Sequence, residues 1–151
     1  MNPRPTPQEL RKAKERKKKE REEMESQQRK LRIAEIKTRI SWAQISSELD
    51  GLYEELDKIY KKAPAEQISD LTVENVNQLI KDTKGIIEDD PYIDRVKEFV
   101  PAGDNPEYRD VIVVLRQLRQ GLDRFQRGHL YPLEHLDDLV SELEILESDE
   151  K

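Results

Sequence analysis

Residues 33–60 read IAEIKTRISWAQISSELDGLYEELDKIY, and their apolar spacing decides the fold. Ile33, Ile36 and Ile40 open the series, followed by Ile45, Leu49, Leu52, Leu56 and Ile59. The second group advances by alternating steps of four and three, which stacks its side chains in one narrow stripe of an α-helix. No strand periodicity produces that spacing. Between Ile40 and Ile45 the register breaks, and Trp42 and Ala43 fall inside the break. Such a stripe needs partner helices, so the expectation is an all-α chain: a helical bundle with one long N-terminal helix that extends as a charged, coiled-coil-like arm.

Upstream, helix propensity persists without a core. From Gln8 to Lys30 there is no Gly, Pro or β-branched residue, and the apolar residues are only Leu10, Ala13 and Met24. Thr6 is the expected N-cap, with Pro7 at the first helical position, after a mobile leader over residues 1–6. One helix should run to about Lys62, where Ala63-Pro64 ends it. Gly51 is a weak point within it and a candidate for close helix approach.

Downstream, four more helices are expected. Thr72 caps a segment reaching about Glu88, with Val73, Val76, Leu79, Ile80, Ile86 and Ile87 as its stripe. Asp90-Pro91 opens a short helix with Tyr92, Ile93, Val96, Phe99 and Val100 on its apolar face, and Pro101–Asp104 is the clearest loop. Asn105-Pro106-Glu107 opens a fourth helix, carrying Tyr108, Ile112, Leu115, Leu118, Leu122 and Phe125, which Gly128 should stop. Pro132 should start a fifth, striped by Leu133, Leu136, Val140, Leu143 and Leu146. Short connections predict sequential antiparallel neighbours in an up-down bundle.

Charge divides the chain. Of 151 residues 40% are charged and the net charge is −6, with a mean hydropathy of −0.94. Residues 1–32 hold 12 Lys/Arg against 6 Asp/Glu, and residues 33–151 hold 15 against 27. The predicted organisation is therefore a basic helical arm over residues 1–32, a folded body over residues 33–147 and a frayed tail over residues 148–151. With no cysteine, neither disulfides nor thiolate metal sites can form. No apolar run approaches a membrane span, and the N-terminal residues lack a signal-peptide pattern, so a soluble cytoplasmic protein is expected.

Enzyme chemistry has little material. The histidines are His129 and His135, and there is no Gly-rich phosphate loop or nucleophile elbow. His135, Asp138 and Glu142 share one face of the fifth helix, a spacing that a metal could use, but solvated polar positions are the simpler account. No cofactor or metal is implied.

The basic arm carries the functional expectation. Arg11, Lys12, Lys14, Arg16, Lys17, Lys18, Lys19, Arg21, Arg29, Lys30 and Arg32 could neutralise phosphates of nucleic acid or a nucleoprotein assembly. Glu15, Glu20, Glu22, Glu23 and Glu25 interrupt the run, and no aromatic residue is present for base stacking. The same segment could instead dock on a protein or serve as a solvated spacer. Ile33, Ile36, Ile40 and Trp42 are candidate contacts with a partner or second subunit, since the C-terminal helices look too short to cover all of the long one. The expected role is a non-catalytic helical adaptor. The alternative is a self-associating coiled-coil scaffold or protein–protein interaction module.

Overall fold

A computed structural model describes residues 3–100 and 105–149. The described residues form five helices: α1 (Pro7–Lys62), α2 (Asp70–Ile86), α3 (Pro91–Asp94), α4 (Tyr108–His129) and α5 (Leu136–Ser148). The all-α expectation holds. The expected loop Pro101–Asp104 and the end of the predicted tail, residues 150–151, lie outside the described residues. None of the helices described is long and apolar enough to cross a membrane.

The long helix forms as its sequence requires. Its 56 residues span about 84 Å. The Thr6 hydroxyl accepts from the Glu9 N–H at 3.2 Å while the Glu9 carboxylate accepts from the Thr6 N–H at 3.1 Å, a reciprocal capping box. The register break between Ile40 and Ile45 has a structural cause. At 3.6 residues per turn, Ile36 and Ile45 sit on opposite sides of α1. Ile45, Leu49 and Leu56 join the main core with Val76, Ile80, Ile112, Leu115 and Leu118. Ile33 and Ile36 lie outside that core and are buried on the side where α5 crosses α1. The break thus passes α1 from one set of partners to another.

Neighbours are arranged differently from an up-down bundle. Trp42 meets Leu122, Asp50 meets Arg119 and Tyr53 meets Arg116, so α4 runs antiparallel to α1. The loop before α2 joins the start of α4, where Ile68 N–H donates to Pro106 C=O and the Tyr108 N–H to Glu66 C=O, each at 3.0 Å. Both α2 and α4 therefore leave the same end and run side by side. The α5 helix has its principal contacts with α1 rather than with α4.

Local caps and tertiary hydrogen bonds shift several of the expected helix boundaries. Ser69, not Thr72, caps α2, accepting from the Thr72 N–H at 3.2 Å. Asp90 caps α3 as expected, but α3 is four residues long. Beyond it the Asn77 amide bonds both the N–H and the C=O of Phe99, each at 2.8 Å, and diverts the backbone from helix. Asn105 does not cap α4 and donates instead to Ile68 C=O and the Asp70 carboxylate. The α4 helix continues through Gly128 to His129. Finally, α5 begins at Leu136 with His135 as N-cap, not at Pro132.

The close approach expected at Gly51 occurs at Gly121. A Cβ at Gly51 would meet nothing within 4 Å, whereas one at Gly121 would lie 2.6 Å from Ile93 Cγ1. Gly121 is what lets α3 rest on α4.

Candidate nucleic-acid interface

Residues 7–31 continue α1 as a single helix that no other element covers. Every described residue from Pro3 to Lys30 is exposed except Ala13 and Arg29, which are half-buried. Among the described residues, no ion pair within 4 Å involves the segment before Arg32. Its cations face solvent, apart from the half-buried Arg29.

Winding sorts those charges in a way that the linear order hides. At about 100° per residue, Arg11, Lys14, Lys17, Lys18, Arg21, Arg29 and Arg32 fall within a sector of about 120°. Glu25 is the only acid of the arm in that sector; Glu9, Glu15, Glu20, Glu22 and Glu23 point elsewhere. Of the acids that interrupt the basic run in sequence, all but Glu25 therefore lie off this side, which is basic from Arg11 to Arg21 and again at Arg29 and Arg32. Leu10, Ala13, Met24 and Leu31 occupy a sector of about 60° that overlaps one edge of the basic one at Leu10 and Lys17. Leu10, Met24 and Leu31 are 49%, 60% and 68% exposed. The arm is a basic amphipathic helix whose apolar edge has no cover. Lys12, Lys19 and Lys30 form a second, smaller line, and Arg16 stands among acids. A helical projection of residues 8–32 contains this signal, whereas reading the charges in order does not.

Arg32 is where the basic face meets the body. Its Nε donates to Glu142 at 2.9 Å, and its Nη2 to Glu142 at 2.8 Å and to Glu134 at 3.0 Å. Those hydrogen bonds hold the Glu142 carboxyl below the usual carboxylate range, against the opposing effect of its partial desolvation. Arg32 is thus engaged within the chain, unlike the cations before it. With Glu142 turned to Arg32, the His135, Asp138 and Glu142 spacing does not assemble a ligand set. Among the described residues, no group of three or more His, Asp or Glu side chains is placed to hold a metal.

The proposed partner-contact residues divide. Ile36 is fully buried and Ile33 nearly so, under α5 of the same chain. Ile40 and Trp42 are half-buried, and Trp42 Nε1 donates to Leu122 C=O at 3.0 Å. Beside Trp42 lies a groove of about 420 Å³, with Ala43, Leu130 and Leu139 in its floor and Leu133, Glu134 and Leu136 along its rim. Arg39, only 8% exposed, closes one end. It donates to Leu130 C=O and Pro132 C=O, both at 3.0 Å, and pairs with Glu35 at 3.1 Å and Glu134 at 3.4 Å. The sequence offered no sign of this residue, because an arginine one turn beyond a stripe looks like any solvated charge.

The comparisons bring no family to the chain. No protein-family model, curated protein or solved structure matches it. The expected stripe of α5 is rotated as well: Leu139 is buried, Leu143 and Leu146 are half-buried, and Leu133, Leu136 and Val140 face solvent.

Proposed function

We propose that the chain is a non-catalytic, cytoplasmic helical adaptor that docks on the phosphate backbone of nucleic acid, or of a nucleoprotein assembly, through α1 residues 11–29. The observation that carries this reading is the uncovered basic sector formed by Arg11, Lys14, Lys17, Lys18, Arg21 and Arg29. A rigid row of about 27 Å without aromatic residues suits backbone contact and not base reading. The acidic body repels the same polyanion, which confines contact to the arm.

Fluorescence anisotropy with duplex DNA and duplex RNA of mixed sequence, over a salt series, tests it. If about six phosphates are neutralised, affinity falls roughly 1,000-fold between 50 and 200 mM salt, with little dependence on sequence. Lys14→Glu/Lys17→Glu/Arg21→Glu should abolish binding, while Lys12→Glu/Lys30→Glu, off the sector, should weaken it less. Salt-independent binding, or equal loss from both variants, would contradict the proposal.

A further inference from the structure

The arm has an apolar edge that phosphate binding leaves unused, and α5 has an acidic, apolar face that nothing in the described chain covers. Residues 131–149 contain seven Asp/Glu and no Lys or Arg. On α5, Leu136 and Val140 are 42% and 39% exposed. Asp137 and Glu144 flank them within a sector of about 100°. This face borders the groove at Trp42.

We propose that the groove and the outer face of α5 receive the N-terminal arm of a second copy of this chain, and that the exchange is reciprocal. The contact has a precedent within the molecule. Arg32, the last cation of the basic sector, already binds Glu134 and Glu142. Lys14, Lys17 and Arg21 lie on the same side of a continuous rigid helix, so they cannot bend back to the acids of their own α5. A second copy presents those acids to them.

Orientation supports the arrangement independently of charge. At about 100° per residue, Arg39, Trp42 and Ala43, which line the groove, lie along the same side of α1 as Leu10, Met24 and the basic sector. Two copies that meet antiparallel on this side make an isologous, self-closing contact. With a two-fold axis near Ser26, Leu10 of each copy reaches Trp42 of the other, and the two Met24 side chains come together near the axis. Two arms of about 33 Å by about 10 Å, each covering an equal area on the other copy, bury on the order of 1,300 Å², within the range of specific interfaces. This inference stands apart from nucleic-acid binding, although both use the basic sector and therefore compete.

A charge-swap experiment on the full chain tests it by sedimentation over a dilution series, with the emission of Trp42, the only tryptophan, as a local probe. The wild-type chain should have twice its 17.8 kDa mass at high concentration and dissociate on dilution and with added salt. Lys14→Glu/Lys17→Glu/Arg21→Glu and, separately, Asp137→Lys/Glu144→Lys should each weaken association at least about 100-fold. An equimolar mixture of the two should restore the dimer, because each reversed arm then meets a reversed α5. Leu136→Asp, which introduces no positive charge, should also weaken association, and unchanged helical circular dichroism verifies folding in each case. A wild-type chain at 17.8 kDa throughout, variants that associate like wild type, or a mixture that stays dissociated would each overturn the proposal. The Asp137→Lys/Glu144→Lys variant keeps its arm, so its affinity for duplex reports on the nucleic-acid reading separately.

Discussion

Replacing Arg39 with methionine should detach α5 and the end of α4 from α1 while the main core survives. The Arg39 guanidinium donates to Leu130 C=O and Pro132 C=O, each at 3.0 Å, from a position 8% exposed. Methionine keeps much of the apolar stem but leaves both carbonyls without that donor, at about 1–3 kcal/mol each when water cannot fully replace it. Glu35 and Glu134 are partly exposed and can turn to water, so losing those pairs adds at most about 1 kcal/mol. The expected loss is therefore about 2–7 kcal/mol, large against the 5–15 kcal/mol typical of a domain. It should fall locally, because α5 buries only Leu139 fully and Ile33 and Ile36 lie outside the main cluster. One such side chain contributes about 1.5–3 kcal/mol, which leaves α5 dependent on its polar anchors. Hydrogen exchange should show protection lost over 130–148 and retained in α2 and the middle of α4, while urea unfolding followed by Trp42 emission gives the magnitude. Arg39→Lys, whose ammonium lacks the planar fork, should lose about half as much. A methionine variant within about 0.5 kcal/mol of wild type, or a lysine variant equal to wild type, would refute the two-carbonyl account.

Glycine substitutions should differ in sign. Gly51→Ala gains helix propensity in open space and should stabilise by up to about 1 kcal/mol, whereas Gly121→Ala drives a Cβ into Ile93 and should destabilise by about 1–3 kcal/mol, both read from thermal unfolding. Acid should loosen α5 through Glu142. Its carboxyl is held below its ordinary value of 4.5 by Arg32, so its contribution is complete above that pH and is lost as pH falls toward the lowered value. Trp42 emission should report this change, and Glu142→Gln should flatten the Glu142 part of the profile; an identical acid response in that variant would remove Glu142 as its source.

Local patterning determined the helical class, the unbroken α1 from Pro7 to Lys62 and the capping roles of Thr6 and Asp90, because periodicity and cap chemistry act over one or two turns. The split between a basic arm and an acidic body was equally visible, since charge needs only counting. Which helix pairs with which was not. The order α1, α2, α4 with α2 and α4 parallel depends on Asn77, Asn105 and the Ile68–Pro106 bond, contacts between residues far apart in the chain. The end of α4 at His129 and the start of α5 at Leu136 depend in the same way on Arg39, whose partners lie about 90 residues away. A sequence specifies what each turn of backbone prefers, but a buried carbonyl is satisfied only by whichever donor the fold brings beside it. That is why the register break at Trp42 was legible as a break, and only the packed chain showed that it separates two cores.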